Sequence, residues 1–97
     1  MAWGFVSELP ISLADYDRLN GEIGQDPEGL ILHQSSQSAN GVRIIDVWES
    51  KDAYERFERD TLMPAAERAG IPMGNEPPPR EEYEVHNMRG PAVGQYR

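Results

Sequence analysis

The sequence predicts an α+β domain in which a four-stranded antiparallel sheet carries two helices on one of its faces. Three observations lead there. Period-two alternation recurs in four short segments, and helical spacing recurs in two others. The segments follow one another as βαββαβ, divided at Leu9-Pro10, Asn40-Gly41 and Gly70-Ile71-Pro72. Right-handed crossovers fold that order into the ferredoxin-like arrangement.

Each element has its own warrant. Residues 3–8 alternate Trp3, Phe5, Ser7 against Gly4, Val6, Glu8 and read as a strand. Residues 12–22 open on Ser12-Leu13-Ala14-Asp15, which is close to a capping box, and Leu13, Tyr16, Leu19 and Ile23 recur at helical spacing. Gly21, Gly24 and Asp26-Pro27 mark a turn region. Residues 29–36 form a strand around Leu30-Ile31-Leu32-His33, with Ile31 and His33 expected on one face. Asn40-Gly41 is a hairpin signal leading into the strongest strand, residues 42–49. Ser50 then caps a helix that runs to about Ala69, which Pro64 should kink or divide near residues 60–63. Its outer side offers charge pairs four apart, Lys51–Glu55, Asp52–Arg56 and Glu55–Arg59. Gly70 and Pro72 stop it. Pro77-Pro78-Pro79 is a stiff extended connector to a last strand at residues 82–88, and the tail after Gly90 frays.

A chain of 97 residues is one domain, with a core at 3–89 and a tail at 90–97. At this size folding buries only about 60–65% of the surface the unfolded chain exposes. The apolar fraction is 38%, so the core of a monomer is thin, and no cysteine is present to staple it. The helices cover one face of the sheet, while the other still carries apolar and aromatic side chains. A homodimer through that open face answers both observations. Seventeen acids against nine bases give a formal charge of −8, which argues against nucleic-acid or anionic-membrane partners. The lack of cysteine excludes thiolate metal sites and cysteine nucleophiles and fits a cytoplasmic protein. The start Met1-Ala2-Trp3-Gly4-Phe5-Val6 has no basic n-region and does not read as a signal peptide, and no apolar run is long enough to span a bilayer.

Asp46-Val47-Trp48-Glu49-Ser50, running into Ala53-Tyr54-Glu55-Arg56-Phe57 and Leu62-Met63-Pro64-Ala65, with the closing Tyr83-Glu84-Val85-His86-Asn87, resembles the antibiotic biosynthesis monooxygenase superfamily of small dimeric α+β barrels. The likeness runs from Trp3 to Arg89 and is greatest to short, mostly actinobacterial members of unassigned function. It implies two sheets packed face to face and a pocket between sheet and helices in each subunit. Some members oxidise polycyclic phenols without a cofactor, some degrade haem, and many have no known activity. The haem-degrading pattern of Asn, Trp and axial His has no match here: Asn87 falls on the last strand and no His lies on the second helix.

Asp46 is the most informative residue. Alternation puts it with Val42, Ile44 and Trp48 on one face, opposite Arg43, Ile45, Val47 and Glu49. An acid in mid-strand has to be hydrogen-bonded, paired or protonated; it is either a structural acid or, with its pKa raised by desolvation, a general base. His33 and His86 are the only histidines, on different outer strands. Each is a structural group or a proton acceptor near neutral pH. No H-x-H or H-E-x-x-H spacing supports a metal site, and none is expected. Asp46 or His33 is therefore the candidate catalytic base, and Trp48, Asn87, His86, Tyr83 and Phe5 are the candidate substrate-binding residues. Arg43 is a further polar group that could face a pocket. Arg56, Arg59 and Arg68 interleaved with Glu55, Glu58 and Glu67 read as a solvated helix face.

The resulting expectation is a dimeric barrel that binds a small hydrophobic or aromatic, polyketide-like molecule. It would act without any cofactor as a monooxygenase or cyclase. The other reading is a non-catalytic ligand-binding or stress-responsive dimer. An open cavity beside Asp46, His33 and Trp48 favours an enzyme or a binder, and a cavity plugged by side chains favours a structural role.

Overall fold

The computed structural model of the chain describes residues 1–72 and 79–90. Its elements are β1 (Trp3–Leu9), α1 (Leu13–Ile23), β2 (Leu30–Ser38), β3 (Gly41–Trp48), α2 (Lys51–Phe57), a π-helical turn (Glu58–Leu62), α3 (Met63–Ala69) and β4 (Arg80–Glu84). The four strands form one antiparallel sheet in the order β2-β3-β1-β4, as the sequence predicts. The final strand is shorter and earlier than expected, so His86 and Asn87 lie beyond it. Only the Val85 amide continues its pairing, donating to the Ala2 carbonyl at 2.9 Å. The proline connector and the tail fall mostly at 73–78 and 91–97, outside the described residues.

Both predicted serine caps form. Ser12 Oγ accepts from the Asp15 amide at 3.0 Å, and Ser50 Oγ accepts from the Ala53 amide at 3.1 Å. Each satisfies one of the amides a helix leaves unpaired in its first turn. The second helical segment is divided as Pro64 requires. Proline has no amide to donate to the carbonyl four residues back, and its ring crowds that carbonyl. The turn before it widens, and the Met63 amide bonds to the Glu58 carbonyl, five residues back. None of the three expected charge pairs of this helix forms among the described residues. Lys51 instead reaches across to Glu82 of β4, with its Nζ 3.0 Å from Oε1.

The register of the sheet sorts its residues into rows. On the helix-covered face run Leu30–Trp48–Trp3–Glu84, His33–Asp46–Phe5–Glu82 and Ser35–Ile44–Ser7–Arg80. On the open face run Leu32–Val47–Gly4–Tyr83, Gln34–Ile45–Val6–Glu81 and Ser36–Arg43–Glu8. Arg43 thus lies away from the helices. A bulge between Leu30 and Leu32 corrects the expected pairing of Ile31 with His33 on one face. The extra residue breaks the alternation, so that Leu30, rather than Ile31, packs into the core on the side of His33.

Two apolar clusters result. One is aromatic, with Trp3, Phe5, Val42, Ile44 and Trp48 of the sheet against Ala53 and Tyr54 of α2. The other joins α1 to α3 through Leu19, Ala65, Ala66 and Ile71. Trp48, 1% exposed, is among the largest fully buried side chains, and its ring lies 5.5 Å from Tyr54 and 5.1 Å from Phe57, centroid to centroid.

Gly4 sits at a close approach. A Cβ there would lie 2.8 Å from the Asp46 carbonyl oxygen and 2.8 Å from the Tyr83 ring, which covers the glycine on the open face. Gly4→Ala is expected to destabilise the domain by about 1–3 kcal/mol in urea unfolding. Removing the ring as well, in Gly4→Ala/Tyr83→Ala, should not restore stability, because the Asp46 carbonyl is backbone and cannot move aside.

Candidate functional site

A cavity of 190 Å³ opens between the sheet and the helices, where the aromatic cluster and the α1–α3 cluster meet. The sheet contributes Phe5, Ser7, Ile44, Asp46 and Trp48, with Leu30 and His33 from the edge strand. Tyr16, Leu19 and Ile23 of α1 face them, with Tyr54, Phe57 and Leu62 closing the other side. Of the residues expected at such a site, Asp46, His33, Trp48 and Phe5 line it. Tyr83, His86 and Asn87 do not: Tyr83 packs on Gly4 across the open face, and the other two are exposed beyond β4. The two histidines are not brought together, since β2 and β4 are the opposite edges of the sheet. Among the described residues no three His, Cys, Asp or Glu side chains cluster to hold a metal ion.

The polar groups of the cavity form a chain. His33 and Asp46 are paired across β2 and β3, and His33 Nδ1 lies 2.6 Å from Asp46 Oδ1. Trp48, two residues along the same strand face, donates its indole N–H to Asp46 Oδ2 at 3.0 Å. Asp46 is 5% exposed, yet each of its oxygens is engaged, which answers the cost of placing a carboxylate in mid-sheet. On the far side of the imidazole, Tyr16 Oη lies 2.6 Å from His33 Nε2, and the two rings are nearly parallel at 9°. The order is therefore Trp48–Asp46–His33–Tyr16, from the core outward to α1.

The Asp46 hydrogen bond is the main cause of a raised His33 pKa, above its ordinary 6.5. Partial burial opposes it, and the negative charges of Asp46 and Asp26 reinforce it. In neutral His33 the nitrogen facing the carboxylate carries the proton, and Nε2 accepts from the Tyr16 hydroxyl. In the imidazolium both nitrogens donate, and the Tyr16 hydroxyl is released to donate elsewhere. One proton on His33 thus decides how Tyr16 presents itself.

Arg80 of β4 also lines the cavity. Its guanidinium lies over the rings of Tyr54, Phe5 and Trp3, at 5.2, 5.4 and 5.7 Å from their centroids. Arg80 Nε donates to Glu82 at 3.1 Å, and Glu58 approaches within 4.0 Å. Burial works against the guanidinium charge, but the Glu82 bond and the negative neighbours outweigh it. Glu58, expected on a solvated face, turns inward and accepts from Tyr54 Oη at 3.0 Å. Burial first, then Glu58, holds the Tyr54 phenol well above its ordinary pKa.

Tyr16, Arg80 and Glu58 are the site residues that sequence reading missed. For Tyr16 a signal existed: it occupies an inward position of the α1 pattern, and a phenol there brings a polar tip to an apolar face. Arg80 follows the proline run, where no periodicity announces a strand.

No family model matches the chain, and no curated protein does either. Solved structures do match. One is from Chloroflexus aurantiacus J-10-fl, assigned to the antibiotic biosynthesis monooxygenases; at 14% identity it has a TM-score of 0.66, covering 93% of this chain and 98% of its own. A second, with the same assignment, is from Caulobacter crescentus CB15, at 20% identity and a TM-score of 0.62, covering 89% of this chain and 91% of its own. A third is a conserved protein from Methanosarcina mazei Go1, at 12% identity and a TM-score of 0.61, covering 86% and 91% respectively. At such identities the likeness is one of fold, and it is the fold expected from the sequence resemblance. No helix among the described residues is long and apolar enough to cross a membrane.

The pairing of His33 with Asp46 makes folding depend on pH with a definite sign. The folded state holds the His33 proton more tightly than the unfolded state. The stabilisation is therefore fully present below pH 6.5 and is lost as pH rises through the raised folded value. Wild-type stability should fall across that interval in urea unfolding, and His33→Gln should flatten the slope. Imidazole NMR should place the His33 titration above 6.5 in wild type and lower in Asp46→Asn.

Proposed function

We propose that this protein is a homodimeric barrel that binds a small aromatic or hydrophobic molecule between its sheet and helices, and removes a proton from it. The reaction is that of a cofactor-independent monooxygenase or cyclase. The observation that carries this reading is the hydrogen-bonded run from Asp46 through His33 to Tyr16 on the wall of an open, largely apolar cavity. An imidazole accepts a proton well when a carboxylate sets its tautomer and orientation, and His33, which bonds Tyr16 on its other side, has that partner in Asp46. Phe5, Trp48, Tyr54 and Phe57 contribute aromatic side chains to the lining that a flat ligand would meet. In the oxygenase form, a deprotonated CH₂ group of the ligand reduces dioxygen itself: one oxygen atom remains as a carbonyl and the other leaves as water. The protein supplies proton removal and a mainly apolar cavity wall. The fold likeness to proteins assigned to the antibiotic biosynthesis monooxygenases is consistent with this reading.

Dimerisation through the open face rests on its apolar rows. Leu32 is 42% and Tyr83 37% exposed there, beside Val47, Ile45 and Val6. A charge at the centre of this patch, in Ile45→Lys, is expected to convert a dimer to a monomer in sedimentation experiments. A monomeric wild type would remove the dimer from this reading.

The ligand test is a thermal-shift screen of one- to three-ring phenols and ketones, followed by oxygen uptake and product analysis. A true ligand at a hundred times its Kd should stabilise the native state by about 2.7 kcal/mol. Turnover is expected to drop at least tenfold in Asp46→Asn. Binding without conversion of any compound would instead favour a non-catalytic ligand-binding barrel, and absence of binding across the panel would overturn the site.

A further inference from the structure

Hydrogen-bond capacity along the polar chain shows which group can meet a ligand. Asp46 accepts at both oxygens and is 5% exposed. His33 uses Nδ1 on Asp46 and Nε2 on Tyr16, so neither ring nitrogen has a lone pair left for a second partner. The Tyr16 hydroxyl differs. An oxygen with one proton and two lone pairs keeps capacity after bonding to the imidazole, and Tyr16 is itself a cavity-lining residue. The two groups that sequence reading singled out for catalysis thus stand behind a third.

We infer that Tyr16 is the catalytic acid–base of this cavity and that the Tyr16–His33–Asp46 chain catalyses enolisation of a one- or two-ring ketone. The inference rests on the reading of the cavity as a ligand site. The proton balance closes without any co-reactant. A C–H bond beside the ligand carbonyl breaks, its proton passes to Tyr16 Oη, and the proton formerly on Oη passes to His33 Nε2. The electron pair of the C–H bond stays on the ligand as an enolate, and the imidazolium is held between the phenol and the Asp46 carboxylate. Reversal returns a proton from Tyr16 to the same carbon, or to the conjugated carbon further along, and the second outcome is an isomerisation.

Three features favour this chemistry over a simple acid or base. A hydroxyl backed by an imidazole can take a proton from carbon and return it at a single atom, which suits enolisation. Arg80 is the one permanent cation among the described lining residues, and it sits in the same weakly polar cavity where enolate charge would develop. The volume of 190 Å³ lies below the roughly 300–1,000 Å³ of sites for drug-sized ligands, which suits a ligand of one or two rings. His33 is faced by Asp46 from β3, by Tyr16 from α1 and by Asp26 from the turn before β2. The relay accepts a proton only when His33 is neutral, so the rate should rise with pH as the imidazolium ionises.

The probe is 2-tetralone in D₂O, a two-ring ketone whose C1 protons exchange through the enolate. Exchange is followed by proton NMR and binding by tryptophan fluorescence. The wild type should bind the ketone and exchange C1 at least tenfold faster than buffer, with a rate that rises through the His33 titration. Tyr16→Phe, which keeps the ring, should bind with little change and exchange at the buffer rate. His33→Gln should also lose exchange, and Asp46→Asn should move the pH profile downward. Bound 2-tetralone without exchange above buffer, or a Tyr16→Phe variant as fast as wild type, overturns the inference and leaves the ligand site standing. No binding of 2-tetralone or of any compound in the thermal-shift panel overturns both.

Discussion

The burial of one carboxylate organises much of this domain. Asp46 stands in a central strand, flanked on its own face by Ile44 and Trp48 and opposite Phe5. A charge there is tolerable only if its oxygens are bonded and its neighbours are held to bond them. Trp48 supplies one donor from the same strand and His33 supplies the other from the edge strand. The indole that serves Asp46 is also the anchor of the aromatic cluster, so packing and polarity are satisfied by one side chain. The imidazole is in turn tied to α1 through Tyr16. Requirements that begin with one buried acid therefore run outward through the sheet into the helix layer.

The cavity exists because that helix layer packs in two parts. α2 lies on the aromatic rows of the sheet, whereas α1 finds its partners on α3. Between the two contacts the layers do not close, and the gap is lined from both sides. The widened turn ahead of Pro64 allows one helical segment to serve both contacts, with Tyr54 against the sheet and Ala65 and Ala66 against α1. A proline that local sequence rules mark only as a break thus separates two packing surfaces.

The legible parts of the site were those with local signatures. Asp46 stood out because period-two alternation fixes its face and its neighbours are apolar. Trp48 and Phe5 followed from the same alternation, and His33 from its place in an apolar run. Tyr83 was read as a ligand contact because aromatic character carries no sign of which face a short edge strand presents. The sheet register gives it to Gly4 instead. His86 and Asn87 were assigned to a strand that ends at Glu84, and strand ends depend on pairing with β1 rather than on residue type. Arg80 was overlooked for the same reason.

The amino-acid sequence by itself determined the element order, the antiparallel ferredoxin-like sheet, the two serine caps, the division at Pro64 and the unusual standing of Asp46. These depend on periodicity, on capping chemistry and on the missing amide of proline, all of which act over a few residues. Only the tertiary structure decided that Asp46 is satisfied by His33 and Trp48 and that Tyr16 ends the chain. It also decided that Arg80 joins the cavity and that Tyr83 faces away from it. Those outcomes depend on the bulge at Leu30–Leu32, on strand register and on how α1 crosses the sheet. A shift of one residue in any of these would reverse a face, and no local pattern in the chain encodes such a shift.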